Sequence, residues 1–253
     1  LSLHDALPIY KDWEPCREHG QAPVNTLVSI PSGKVDLGRS LADPIYGWDN
    51  EYGHHHAVVP EFKTSRYLVT NGEYLEFVED GGYESPKYWD EEGAGWKKFS
   101  QALHPTFWVK GVDGWRLRLL AEEVAMPWDW PVETNCLEAR AFCRWKSEKT
   151  GEPIRLPTED EWNRIYDHAQ LADVPHDAPA NANLHLDYWA SSCSVNRFKH
   201  GELNDVVGNV WQWCETPTYP FDGFDVHPIY DDFTSPTFDD RHNIIKGGSW
   251  IAA

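Results

Sequence analysis

The chain has 253 residues, 25% charged and 41% hydrophobic, with a net charge of −19 at pH 7. That length allows one large domain or two small ones, and the 14% aromatic content excludes a disordered chain. The acidic balance argues against nucleic acid or an anionic membrane as a main partner, since both require a basic footprint, and no run of eighteen apolar residues offers a transmembrane helix.

The first nine residues, LSLHDALPI, back-translate readily to a widely used sequencing-adapter primer, and they lack the charged start and cleavage site of a signal peptide. Residues 1–9 are therefore expected to be a non-native segment that packs on nothing. One domain is expected over 10–253, cut at both ends. Residues 24–37 (VNTLVSIPSGKVDL) predict two short strands around a Pro-Ser-Gly turn, and residues 56–67 another strand. Thr70 caps a helix over 71–80, with Glu73 placed for a capping box and Tyr74, Leu75, Phe77 and Val78 on the apolar face. Gly81-Gly82 ends it. Residues 86–100 predict a short helix, and residues 107–120 a hairpin turning at Asp113-Gly114. A helix over 135–149 buries Cys136, Leu137, Ala141, Cys143 and Trp145 and stops at Gly151, and Thr158 with Glu161 opens a further helix through Tyr166. Beyond it, residues 173–237 are rich in Pro, Asn, Asp, His and aromatics. Such a stretch is ordered only if its backbone groups find partners in packed loops.

Five cysteines, an odd number with no CxxC pair, fit neither a zinc ribbon nor a secreted disulfide framework. A reducing cytoplasm is the expected compartment, with the thiols as small buried hydrophobes. His54-His55-His56 invites a metal reading, but on a strand His54 and His56 share a face while His55 points away, and no third ligand follows at helical spacing. The triplet is expected to be solvent-facing structure, and His104, His168, His176, His185, His200, His227 and His242 read singly as loop residues.

Four strings in order carry a family resemblance: VTNGEYLEFVEDGGY (69–83), RLPTEDEW (155–162), DVVGNVWQWCET (205–216) and IKGGSW (245–250). Gly208 and Gly247-Gly248 suit tight backbone approach, and Trp211 and Trp213 alternate as on one face of a strand. Together the strings resemble the formylglycine-generating-enzyme (sulfatase-modifying factor) domain over about residues 24–250. The fold this implies is α+β, C-type-lectin-like, with few regular elements and long packed loops. The copper-dependent formylglycine-generating branch places a cysteine two residues after the aromatic that follows Gly-Gly-Ser, whereas Ala252 stands there.

GWDNEYGHHH (47–56) and YPFDGFDVHPIYDDF (219–233) instead resemble the sulfoxide synthases, and the His-Pro-Ile-Tyr wording resembles most the 5-histidylcysteine sulfoxide synthases of ovothiol biosynthesis. That resemblance implies an oxidoreductase acting on cysteine, histidine and O2. Its Fe(II) ligands are expected on a missing upstream domain of the same protein, so this chain alone is expected to be inactive. It makes Tyr230 the candidate catalytic residue, a phenol with an unperturbed pKa of about 10 that donates a proton at neutral pH; read alone, Tyr230 is a loop tyrosine capping a carbonyl. It also implies a Ca²⁺ site at Asp205, Gly208, Val210 and Gln212, weakened because Gln212 replaces a charged ligand. The alternatives are an ergothioneine-type synthase with a trimethylated histidine as acceptor, and a non-catalytic lectin-like binding module.

Overall fold

Short antiparallel strand pairs and capped helices alternate with long loops in a computed structural model that describes residues 14–44, 46–171, 181–229 and 231–252. The segment over 1–9 lies outside the described residues. Strands β1 (Leu27–Ile30) and β2 (Gly33–Leu37) form where expected but do not pair with each other. β1 pairs with β4 (Phe62–Ser65), and β2 with β3 (His55–Val59). The single strand expected over 56–67 is thus two, parted at Pro60-Glu61, because proline has no N–H to continue a ladder.

Helix α1 (Asn71–Glu79) starts at Thr70, whose hydroxyl accepts from the Glu73 N–H at 3.0 Å. The expected capping box is only half made. Glu73's carboxylate turns instead to Lys146, 3.1 Å away, and to the Asn25 amide, where it gains a cation and a donor from elsewhere in the chain. A short turn at Pro86–Tyr88 leads into α2 (Glu91–Ser100). The expected hairpin is β5 (Trp108–Gly111) and β6 (Gly114–Arg118), extended by β7 (Glu123–Ala125). Gly111 opposes Gly114, so the turn is Val112-Asp113, one residue earlier than expected.

Helices α3 (Cys136–Thr150) and α4 (Glu159–His168) both open on complete capping boxes, Asn135 with Glu138 and Thr158 with Glu161. Strands β8 (Lys199–His200) and β9 (Leu203–Asn204) are minimal, and β10 (Gln212–Pro217) pairs with β11 (Asn243–Lys246) through an irregular register.

Two apolar clusters hold these pieces. The larger is aromatic, built on Tyr74, Phe77, Trp108, Phe142 and Trp145 from α1, α3 and the hairpin, with Trp130 from the loop after β7. The smaller gathers Val28, Ile30, Trp162, Ile165, Leu203 and Cys214, with α4 against β1, β2, β3, β10 and β11. The buried stripe of α3 differs from expectation. Cys136 and Leu137 are half-buried, while Glu138 is 1% exposed. A carboxylate can occupy that position because Tyr83's hydroxyl and the Asn135 N–H both donate to it. Burial still pushes the Glu138 carboxyl up from its usual range.

All five cysteines are free, and all are buried or half-buried. Burial raises the thiol of Cys136 to about 11 and those of Cys143 and Cys214 to about 12, so these stay protonated at neutral pH. Among the described residues no helix is long and apolar enough to cross a membrane.

Glu138→Ala strips the acceptor from Tyr83 and half of the α3 cap at once. Chemical denaturation should show a loss of about 2 kcal/mol or more; an unchanged midpoint would mean that the buried carboxylate contributes nothing.

Candidate functional site

The loop between β10 and β11 carries the string 219–233 singled out in the sequence. Its neck is closed by Thr218, whose N–H and hydroxyl both donate to the His242 carbonyl at 2.6 and 3.0 Å. Its first half lies on β3. His54 N–H donates to the Asp222 carbonyl at 2.8 Å, and Asp222 N–H returns a bond to His54 at 3.1 Å. The His55 ring meets Tyr219 edge-on at 5.6 Å and lies nearly parallel to Phe221 at 6.0 Å. Gly53 makes this approach possible: its φ is +111°, and a Cβ there would stand 2.7 Å from the Asp222 oxygen.

The histidine triplet therefore divides. His54 and His56 are exposed with their rings parallel, and His56 Nδ1 pairs with Asp36, as expected of solvent-facing structure. His55 points the other way and is half-buried, with Nε2 2.9 Å from Asp160 at the start of α4. Beside Asp160, Glu159 is 3% exposed and ion-paired to Lys246 of β11. Burial, with Glu159 and Asp160 adding to it, drives the Tyr219 phenol well above its ordinary value. Tyr219 is thus a neutral hydroxyl over the whole physiological range. The alternation along β3 foretold which histidine turns inward, but nothing in the sequence announced what it meets. His200 also departs from a plain loop residue: it is 7% exposed, Nε2 lies 2.9 Å from the Asn181 carbonyl, and Nδ1 accepts from Val206 N–H. Burial lowers its pKa.

Among the described residues no group of three or more His, Cys, Asp or Glu side chains is placed to hold a metal ion. Of the positions matched to calcium, Gln212 and Asp205 are engaged with protein partners. Gln212 is locked as a donor: Trp162 Nε1 gives its hydrogen to the Gln212 oxygen at 3.2 Å, which turns Nε2 onto the Asp205 and Val206 carbonyls at 3.0 Å each. Calcium needs six to eight oxygens, and here an amide nitrogen faces two of the neighbouring carbonyls. Asp205 is fully buried at φ +49°, with one carboxylate oxygen on Asn209 Nδ2 at 3.2 Å and the other without a hydrogen-bond partner. Burial holds its carboxyl well above the usual range. Gly208 and Gly247 meet each other, Gly208 N–H donating to the Gly247 oxygen at 2.6 Å, and both take positive φ.

Tyr230 lies outside the described residues. In the same stretch of chain, Ile229 and Phe233 are 74% and 69% exposed.

An α+β domain of small sheets, in which long loops carry the outward surface, is the class defined by this architecture. The structure of PvdO from Pseudomonas aeruginosa has the same fold, with a TM-score of 0.57 at 18% identity over 90% of this chain and 83% of that one. The chain belongs to the sulfatase-modifying factor enzyme 1-like domain family, whose pattern it matches over residues 14–253. It is 30% identical to hercynine oxygenase of Mycolicibacterium smegmatis over 271 residues, covering 100% of this chain and 60% of that protein. It is 26% identical to ergothioneine biosynthesis protein 1 of Schizosaccharomyces pombe, covering 82% of this chain and 24% of that one. The chain thus spans little more than half of the first relative and a quarter of the second.

Two outcomes follow from the Asp205 and Gln212 geometry. Calorimetric titration with Ca²⁺ should show no uptake, and neither Ca²⁺ nor a chelator should move the melting temperature. A raised folded pKa for Asp205 means that its contribution to stability is full below the unfolded value of about 3.9 and is lost as pH rises through the folded value. Asp205→Asn stays neutral and tolerates positive φ. Its melting temperature should rise relative to the parent as pH increases from 4 to 8; a constant difference would remove the assignment.

Proposed function

We propose that this chain is the part of an O2-dependent sulfoxide synthase that closes one wall of the active site, with Tyr230 as its proton donor. In the reaction the thiol of cysteine and a C–H of an imidazole are joined. The S–H and C–H bonds break, C–S and S–O bonds form, O2 accepts four electrons, and its second oxygen leaves as water. Fe(II) held by another part of the protein supplies the oxygen chemistry. This chain supplies orientation, exclusion of water and a proton. The observation that carries the reading is the loop over 219–233, rooted on His54 and His55 with Ile229 and Phe233 exposed, in a chain similar to a hercynine oxygenase.

We take histidine as the acceptor, on the ovothiol-type wording of residues 227–230. The names of the relatives favour a second reading in which hercynine, the trimethylated histidine, is the acceptor. A third, a lectin-like binding module without catalysis, would leave both acceptors unreacted.

The test is the complete, iron-loaded protein given cysteine, O2 and either acceptor, with products separated by mass. A histidyl-cysteine sulfoxide supports the proposal, a hercynine-derived product alone supports the second reading, and no C–S product from either overturns both. In an active protein, Tyr230→Phe should shift the products from C–S coupling toward simple cysteine oxidation by about tenfold or more, the lower side of what a positioned acid contributes. An unchanged product ratio would take the role from Tyr230.

A further inference from the structure

The second half of the same loop is held by a residue far away in sequence. Asp49 lies in a one-turn helix at Asp49–Glu51 and is 7% exposed. One of its carboxylate oxygens, Oδ2, accepts the His227 N–H at 3.1 Å. The other, Oδ1, accepts the Thr234 hydroxyl at 2.7 Å and the N–H of its own neighbour Asn50 at 2.9 Å. The turn that carries Asp49 is itself braced: Glu51 accepts from the Trp48 N–H at 2.7 Å and pairs with Arg39 at 3.2 Å. Thr234 is 4% exposed, and its carbonyl accepts from Thr237 through both N–H and hydroxyl.

One carboxylate thus grips the chain at 227 and again at 234. The residues described between those two points, Pro228, Ile229, Asp231, Asp232 and Phe233, are all exposed. Ile229 N–H donates to His227 Nδ1 at 3.2 Å within the span, and the Asp49 carboxylate ties the two ends to a distant part of the chain. A charge-assisted hydrogen bond at each end is the strongest fastening available to such a segment, and holding both ends on one side chain removes most of the freedom a six-residue loop would otherwise keep.

We propose that Asp49 is the positioning residue for the loop in whose sequence Tyr230 stands, a staple that holds the chain at 227 and at 234 without touching substrate itself. The inference rests on the proposed function for its catalytic consequence, but the staple is a separate physical claim. Asp49→Asn keeps shape and one acceptor but loses the other. Thr234→Val removes the hydroxyl at nearly constant volume, and Thr234→Ser restores it.

The experiment is hydrogen exchange followed by mass spectrometry on the complete protein, with product partition measured on the same samples. The hydrogen-bonded amides of the span, His227 and Ile229, should exchange about tenfold faster or more in Asp49→Asn, the lower side of what a lost charged hydrogen bond is worth. Thr234→Val should follow in the same direction and Thr234→Ser should match the parent, with exchange elsewhere and the melting temperature little changed. In an active protein, Asp49→Asn should also raise the cysteine-oxidation share while leaving KM for cysteine near the parent value. Unchanged exchange over 227–234 overturns the staple. Faster exchange with an unchanged product ratio overturns the positioning role. A parent protein that makes no C–S product overturns the proposed function instead, and the exchange data then decide the staple alone.

Discussion

Asn209 ties together the part of the molecule that has almost no regular structure. It is fully buried, at φ +67°. Its side-chain oxygen accepts from Cys193 N–H, and its amide donates to the Cys193 carbonyl and to Asp205. Its backbone N–H goes to Asn183 and its carbonyl takes Trp250 N–H. One residue thereby satisfies polar groups from the segments around 183–193, 205–212 and 247–250. Without strands or helices to pair those groups, each would be a buried donor or acceptor lacking a partner, at a cost of about 1–3 kcal/mol apiece. The fold of the second half depends on this hub more than on any sheet.

The architecture works because it separates two tasks. The aromatic cluster around α1, α3 and the hairpin provides bulk stability through buried area. The region from α4 to β11 provides placement, through ion pairs, ring contacts and backbone bridges that reach across long stretches of chain. A loop can then project outward from the second region without drawing on the first. The roots of that loop sit on β3, at the edge of a two-stranded ribbon whose other strand, β2, contacts α4.

Local signals in the sequence were legible wherever a short-range rule decides the outcome. The Thr158 cap, the Gly151 stop and the hairpin all formed because each needs residues only a few positions apart. Long-range partners were not legible. β1 and β2 look like a hairpin in sequence, yet each pairs with a later strand. Glu73 completes a capping pattern but is taken by Lys146 and Asn25, and Glu138 sits in an apolar core because Tyr83 is there to bond it. The site shows the same division. The string over 219–233 stood out by its wording, whereas the contacts of His55 with Tyr219, Phe221 and Asp160 depend on a register and a packing that no spacing encodes.

The cysteines have a meaning beyond packing. A protein that brings oxygen and a free thiol together carries a standing hazard, since its own sulfurs are the same chemistry at fixed positions. Oxidants select thiolates that water can reach. Here Cys143, Cys193 and Cys214 are buried with their protons held on by desolvation, Cys16 is buried with its pKa raised, and Cys136 is half-covered on α3. Burial thus keeps four of these thiols from water and holds the protons on all five, which is the opposite of what an oxidant selects.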